Sequence, residues 1–533
     1  MAIVHVKNKQ NGTTYVYEST SYWDKDKKQS RSKRVCIGKL DDQGNIIPSK
    51  RLSDQGSFAQ STKRGPVPVT ESARNFYGAT YLMDAIGNKL GITDDLKQCF
   101  PDTYKQMLSV AYYLILEENN PLSRFEKWGS IHKHPYGLNI PSQRSSELFA
   151  SITEEAKEKF FRLQGKRRIE NEYWAYDTTT ISSYSSALKQ VQYGKNKEDD
   201  RLPQLNLALV FGEESGLPFY YRKLAGNMPD SKTVKTLVQD LDVLGFSKVK
   251  LVMDRGFYSE ANINGLYKEH LKFLIATKTS LTFVKKNLDA VYDDISMFSN
   301  YDNNLGVYSI TVPSEWNYTQ ERPYKNDAIK DKRRIYIHLY YNIDKAAEDA
   351  KKFDSLLSEL QKELLSGNRL ERHESQYKKY FEVKKTPKKG VQVIAKSDAI
   401  KAAKRYYGYF TLLSNEKMDS KTALYIYRTK DVVEKAFGNL KERLNMRRML
   451  VSSEKSLNGK LFVEFIALIF LSYINKQMKD QRLFETYTMQ EALDKLDVIE
   501  CFEHPGQKLR VGELLEKQKK LYIDLGVAPP ASL

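Results

Sequence analysis

At 533 residues the chain exceeds what one core fills and carries roughly three or four domains' worth of material. Hydrophobic residues at 41% and aromatics at 12% allow sizeable cores, while 85 Lys and Arg against 67 Asp and Glu leave a formal +18. That surplus favours a polyanionic partner, nucleic acid ahead of an anionic membrane surface.

The three cysteines, Cys36, Cys99 and Cys501, are far apart and form no CxxC pair, which excludes a disulfide framework and a cysteine zinc site and points to a reducing compartment. The opening residues lack the apolar run of a secretory signal. The longest apolar stretch, 461–474, is interrupted by Glu464, is too short to span a bilayer and reads as a buried helix. The expectation is a soluble, cytoplasmic protein with no membrane partner.

Residues 1–68 alternate in strand fashion around Asn11-Gly12, a strong hairpin signal. Their Lys25, Lys27, Lys28, Arg31, Lys33 and Arg34 suit either a basic β module on a phosphate backbone or a solvated hairpin, and 64–68 reads as a linker. Residues 69–168 turn helical, with apolar positions three and four apart (Phe76, Tyr81, Leu82, Ala85, Ile86), and form a DNA-binding or accessory region.

From 169 to 280 strands and helices alternate: strands at 173–180, 204–211 and 219–224, a helix near 231–244, a strand at 248–253, a helix near 259–270 and a strand at 272–276. This is the order expected of a ribonuclease-H-like α/β core with a mixed sheet, with Asp177 inside the first strand and Asp254 at the end of the fourth. Residues 281–415 hold strand-like runs (306–312, 333–341, 391–395, 408–413) and an amphipathic helix near 345–365 on Phe353, Leu356, Leu357, Leu360 and Leu364. They read as an inserted β-rich subdomain, since so long a connection needs structure of its own. A helix within 416–454 resumes the core, and 455–533 is helical, with a capping box at Thr488 and Glu491.

The 416–454 segment carries Tyr427-x2-Lys430-x3-Glu434-x6-Lys441, whose spacings of three, four and seven stack the four side chains on one helical face. Val433, Phe437, Leu440 and Leu444 form an adjoining apolar stripe that can anchor the helix to a core. Alone, such a polar face is an ordinary solvated one. Together with Asp177 and Asp254 it supplies the third corner of an acidic site. Three carboxylates suit phosphodiester chemistry: two Mg²⁺ ions, with Mn²⁺ able to substitute, clamp the attacking and leaving oxygens, and these hard ions take oxygen ligands. None of the seven histidines clusters.

These residues, in this order, resemble the DDE transposases of bacterial insertion sequences. The resemblance is to the branch with a ribonuclease-H-like core, a long β-strand insertion and a Tyr-x2-Arg-x3-Glu-x6-Lys signature, and it spans nearly the whole chain. It implies that Asp177, Asp254 and Glu434 are the catalytic, metal-binding triad and that Tyr427 and Lys441 contact DNA near the scissile phosphate. Lys430 stands where the family has Arg; it keeps the charge for a DNA contact but loses the bidentate fork. The implied partners are the element's terminal inverted repeats and target DNA, with a homodimer in the active complex and a place at the bacterial nucleoid.

Softer features accompany the triad. The segment 226–233 offers Asp230 or Ser231 as a helix cap, or a neighbour of the active site. Trp316, among polar residues and Tyr318, reads as a half-buried packing residue or as an exposed aromatic that stacks on a base extruded at a DNA end, a contact worth roughly 1–3 kcal/mol. The loop 384–389 is basic, a phosphate contact or a solubilising tip. The rival readings are a ribonuclease-H-like nuclease or resolvase, and a domesticated DNA-binding protein that no longer transposes.

Overall fold

The computed structural model describes residues 2–531 apart from 9–11, 25–28, 42–43, 49–71, 119, 168–171, 186–187, 195–201, 323–326, 387–389, 445–447, 450 and 452. The chain divides into two units, Met1–Ala73 with Glu503–Leu509, and Arg74–Phe502 with Arg510–Leu533.

The first unit is an antiparallel meander of β1 (Ala2–Lys7), β2 (Thr14–Asp24), β3 (Gln29–Leu40) and β4 (Ile46–Pro48). Gly12 takes φ +69° in the first turn, where the Asn8 N–H donates to the Thr13 carbonyl at 2.9 Å. Arg31, Lys33 and Arg34 are exposed on β3; Asn11, Lys25, Lys27, Lys28 and the 64–68 linker lie outside the described residues.

A short strand, β5 (Ala73–Phe76), begins at the last residue of the first unit's N-terminal segment and leads into the second unit's helices Gly78–Lys89, Ile92–Cys99, Tyr104–Leu116, Ser142–Ser151 and Glu154–Lys166. They pack with helix Glu454–Asp480, whose residues from Leu461 to Ile474 are all buried. That helix is longer than the apolar run alone predicts, and by length and composition it could cross a membrane, yet 89% of its most apolar window is buried in the protein. Gly459 lets it approach helix Ser142–Ser151, since a Cβ there would fall 2.0 Å from the Phe149 carbonyl oxygen.

The central sheet has ten strands. Its first part is β6 (Trp174–Ser183), β7 (Gln204–Gly212), β8 (Pro218–Ala225), helix Asp230–Val243, β9 (Lys250–Met253), helix Glu260–Lys268 and β10 (Lys272–Thr277), the predicted succession. β11 (Tyr301–Asp302), β12 (Val307–Glu321) and β13 (Ala328–Tyr341) follow, then a hairpin of β14 (Phe381–Thr386) and β15 (Gly390–Ala395), then β16 (Tyr409–Ser414) and β17 (Arg448–Met449). The sheet runs β11-β12-β13-β16-β10-β9-β6-β7-β8, with β17 pairing β6. β6, β9 and β10 are mutually parallel neighbours; β7, β8, β16, β13 and β12 add on antiparallel.

The stretch between Asp254 and Glu434 therefore does not fold as one separate subdomain. β16 pairs along β10 and brings β13 and β12 with it, so three of the expected insertion strands extend the central sheet and cover what would be an open edge. What stands apart is smaller: helix Ile343–Ser366, the β14–β15 hairpin and helices Glu374–Tyr380 and Ser397–Lys404, around a core of Phe353, Leu360, Leu364, Tyr377, Tyr380 and Phe381.

Candidate active site

β6 is buried along its length except at Asp177, which is partly exposed. The parallel register pairs Tyr176 with Met253, so Asp177 and Asp254 occupy the next rung of adjacent strands, which run about 4.8 Å apart. Asp177 Oδ1 accepts the Thr178 N–H at 2.7 Å. Asp254 immediately precedes a single turn, Arg255–Phe257, in extended backbone geometry (φ −79°, ψ 167°), and its side chain makes no cap bond.

The other face of β6 is braced from behind. Thr178 Oγ1 donates to Asp230 Oδ1 at 2.6 Å, and Asp230 Oδ2 lies 3.3 Å from where a Cβ on Gly256 would sit. Asn262 Nδ2 donates to the carbonyls of Ser231 and Phe257, at 2.7 Å each, tying the helix start to the Asp254 turn. Asp230 is the first residue of its helix and makes no cap bond. Its side chain is instead engaged by Thr178, on the face of β6 opposite Asp177.

The signature segment is not one continuous helix. Helix Ser420–Thr429 ends at Lys430, helix Asp431–Gly438 begins there, and Asn439–Arg443 forms a π-helical turn. At the junction the Lys430 N–H bonds to the Tyr427 carbonyl and the Val433 N–H to the Lys430 carbonyl, both three residues apart. The apolar stripe is in place: Val433, Phe437, Leu440 and Leu444 are all buried.

This arrangement brings four of the predicted side chains together. The Tyr427 hydroxyl donates to Asp254 Oδ1. Lys430 Nζ lies 3.6 Å from Asp254 Oδ2 and 3.5 Å from Glu434 Oε1, and 5.6 Å from the centre of the Tyr427 ring. Burial holds the Tyr427 phenol well above its ordinary range, and the negative charge of Asp254, then of Asp177 and Glu434, pushes the same way. One hydroxyl thus feels all three acids.

Lys430 turns inward. Its side chain is 5% exposed, against 43% for Asp254 and 63% for Glu434, so it faces the acids rather than an incoming phosphate as expected from the signature. Lys441 sits half-buried in the π turn. Trp316 is not an exposed stacking platform: it is 7% exposed on β12, its Nε1 donates to Asn264 Oδ1 at 2.8 Å, and its ring meets Phe283 edge-on. The reason is tertiary, because helix Glu260–Lys268 supplies the polar partner that lets a tryptophan be buried. Lys384 and Lys385 are exposed on the β14–β15 hairpin, and 387–389 lie outside the described residues.

The donor set fits a hard divalent cation: three carboxylates, all oxygen, with an ammonium already drawn between two of them as a stand-in cation. As they stand, no three Asp, Glu, His or Cys side chains among the described residues close around a common point. A cleft of about 880 Å³ opens beside Asp254 and Tyr427, with Lys278, Lys345 and Lys352 and the rings of Tyr406, Tyr409 and Phe410 on its walls. Sequence reasoning did not single out this combination of cations and rings, which comes from three separate stretches of chain.

A mixed α/β protein with one acid inside a strand, one just past the neighbouring strand and one on a helix is the class these observations define. Residues 173–470, more than half the chain, match the family described as "Transposase DDE domain", and the chain belongs to that transposase family. No curated protein matches it. Among solved structures, the cryo-EM structure of a piggyBac transposase synaptic complex with hairpin DNA is similar over 84% of this chain and 77% of that one, at 12% identity and a TM-score of 0.31.

Proposed function

We propose that the protein is the transposase of a bacterial insertion sequence. It binds the element's terminal inverted repeats, cleaves the DNA ends and transfers the freed 3′ ends to target DNA, as a homodimer at the nucleoid. In this reading β8-β7-β6-β9-β10 is a ribonuclease-H-like sheet, and Asp177, Asp254 and Glu434 hold two divalent ions. When bound, such ions supply Lewis-acid stabilisation of the attacking and leaving oxygens. The protein's own part is positional: β6 and β9 fix two acids on one rung, Tyr427 orients Asp254, and the exposed Lys278 and the rings of the cleft offer the DNA backbone a cation and its bases stacking faces.

The observation that carries this reading is the meeting of Asp254, Glu434, Tyr427 and Lys430, with Asp177 one register step from Asp254 on the neighbouring strand, in a chain of the transposase DDE family. The test is cleavage of labelled duplexes taken from the DNA on each side of the gene, with wild-type protein and Glu434→Gln, with and without Mg²⁺. Cuts at one defined position on both flanks, absent in the variant, support the transposase. Indiscriminate cutting favours a nuclease, and binding without cutting favours a domesticated DNA-binding protein.

A further inference from the structure

We propose that the Lys430 ammonium is a built-in counter-cation, held between Asp254 and Glu434 and displaced when a divalent ion binds them. This rests on the reading that these acids hold metal.

The geometry is that of a cation in a cage rather than of a committed salt bridge. Lys430 Nζ is nearly equidistant from its two carboxylates, at 3.6 and 3.5 Å, beyond the roughly 2.7–2.9 Å of a charge-assisted hydrogen bond. It is also buried, while Glu434 is largely exposed. A buried charge needs partners, and these two acids are the ion-pair partners Lys430 has among the described residues.

The two oxygens of Asp254 are shared out: Tyr427 takes Oδ1 through a hydrogen bond, and Lys430 stands at Oδ2 through a looser contact. An arriving cation meets less resistance at Oδ2. The residue type suits that exchange. Lysine is a compact point charge on a flexible stem, whereas the arginine of the signature would bind a carboxylate as a rigid two-pronged fork. Lys430 also sits at a tightened turn between the two helices, where its N–H and carbonyl make three-residue hydrogen bonds to Tyr427 and Val433. The ammonium keeps two like charges assembled in the absence of metal, and competes with metal for them.

The test is Mn²⁺ binding to the DNA-free full-length protein, by titration calorimetry, for wild type, Lys430→Gln, Lys430→Arg and Glu434→Gln. Removing the charge should tighten Mn²⁺ binding about tenfold, the scale of one lost competing charged contact, whereas Lys430→Arg should not tighten it. The salt dependence of DNA binding, read by fluorescence anisotropy, should be the same for Lys430→Gln as for wild type. Mn²⁺ affinity unchanged or weakened in Lys430→Gln overturns the proposal. So does a DNA-binding salt slope reduced by about one, which marks a phosphate contact. If Glu434→Gln binds Mn²⁺ as wild type does, the metal reading itself fails, a result distinct from failure of the lysine's role. Should Lys430→Gln not fold, Lys430→Met keeps the stem and removes the charge, and the same comparison applies.

Discussion

The Tyr427 hydroxyl donates to Asp254 Oδ1 across 173 residues of chain, fastening helix Ser420–Thr429 onto the end of β9. Burial and the surrounding acids keep the phenol protonated, so it is always a donor. Tyr427→Phe keeps the ring beside Lys430 and removes only that bond. A hydrogen bond to a charged group is worth roughly 1.5–3 kcal/mol, so cleavage should slow about ten- to a hundredfold. Single-turnover cleavage and a mobility-shift assay on the same DNA end check this. Binding should survive, and a parallel loss of binding would make Tyr427 a DNA contact instead.

Asp230 braces both strand acids from the far side of the sheet, through Thr178 next to Asp177 and against Gly256 in the Asp254 turn. Asp230→Ala removes the hydrogen bond from the Thr178 hydroxyl to a charged acceptor and should cost about 1–3 kcal/mol of stability. It should also slow cleavage about tenfold by loosening the rung, a modest misplacement of reacting groups. Thr178→Val should do part of the same, and the two changes should be non-additive in a double-mutant cycle of melting and cleavage. Fully additive effects would mean that Asp230 and Thr178 act separately.

Lys278 is exposed at the mouth of the cleft beside Asp254. If DNA backbone lies there, Lys278→Ala should weaken binding of every duplex similarly and lower the slope of log affinity against log salt by about 0.9, the share of one phosphate contact on duplex DNA. An unchanged slope would take the duplex out of this cleft.

What was legible in the sequence followed from local patterning. Apolar runs bounded by turn residues marked β6 to β10, which placed Asp177 inside a strand and Asp254 just past one. The 3.6-residue period found the buried Val433, Phe437, Leu440 and Leu444 stripe, and the Thr488–Glu491 capping box is present with both of its bonds. Pairing was not legible: periodicity marks 306–312 as strand-like but shows neither that the strand runs on to Glu321 nor that β16 and β13 carry it into the central sheet. The break at Lys430 has no glycine or proline to announce it. Lys430 and Trp316 each looked like a DNA contact because the partners that let them be buried, the Asp254 carboxylate and the Asn264 amide, lie far away in sequence.

Glu464 lies fully buried on helix Glu454–Asp480, with Lys460 Nζ 3.6 Å away and no hydrogen-bond partner on either carboxyl oxygen among the described residues. Burial raises its pKa from 4.5 to about 7, only partly offset by Lys460. Between those values the folded protein holds a proton that the unfolded chain has released. Its contribution to stability is therefore complete below about pH 4.5 and lost as pH rises through about 7, on the order of 3 kcal/mol in all. His134 and His338, each pushed down to about 4 by burial, act in the opposite sense: their contribution is present above pH 6.5 and lost as pH falls through about 4. Those histidines are common to wild type and Glu464→Gln, so the difference between the two proteins isolates the glutamate. Glutamine imitates the protonated acid, and Glu464→Gln should melt near wild type at pH 5 and several degrees higher at pH 8. A difference in melting temperature that does not change between those pH values would show that Glu464 does not titrate there.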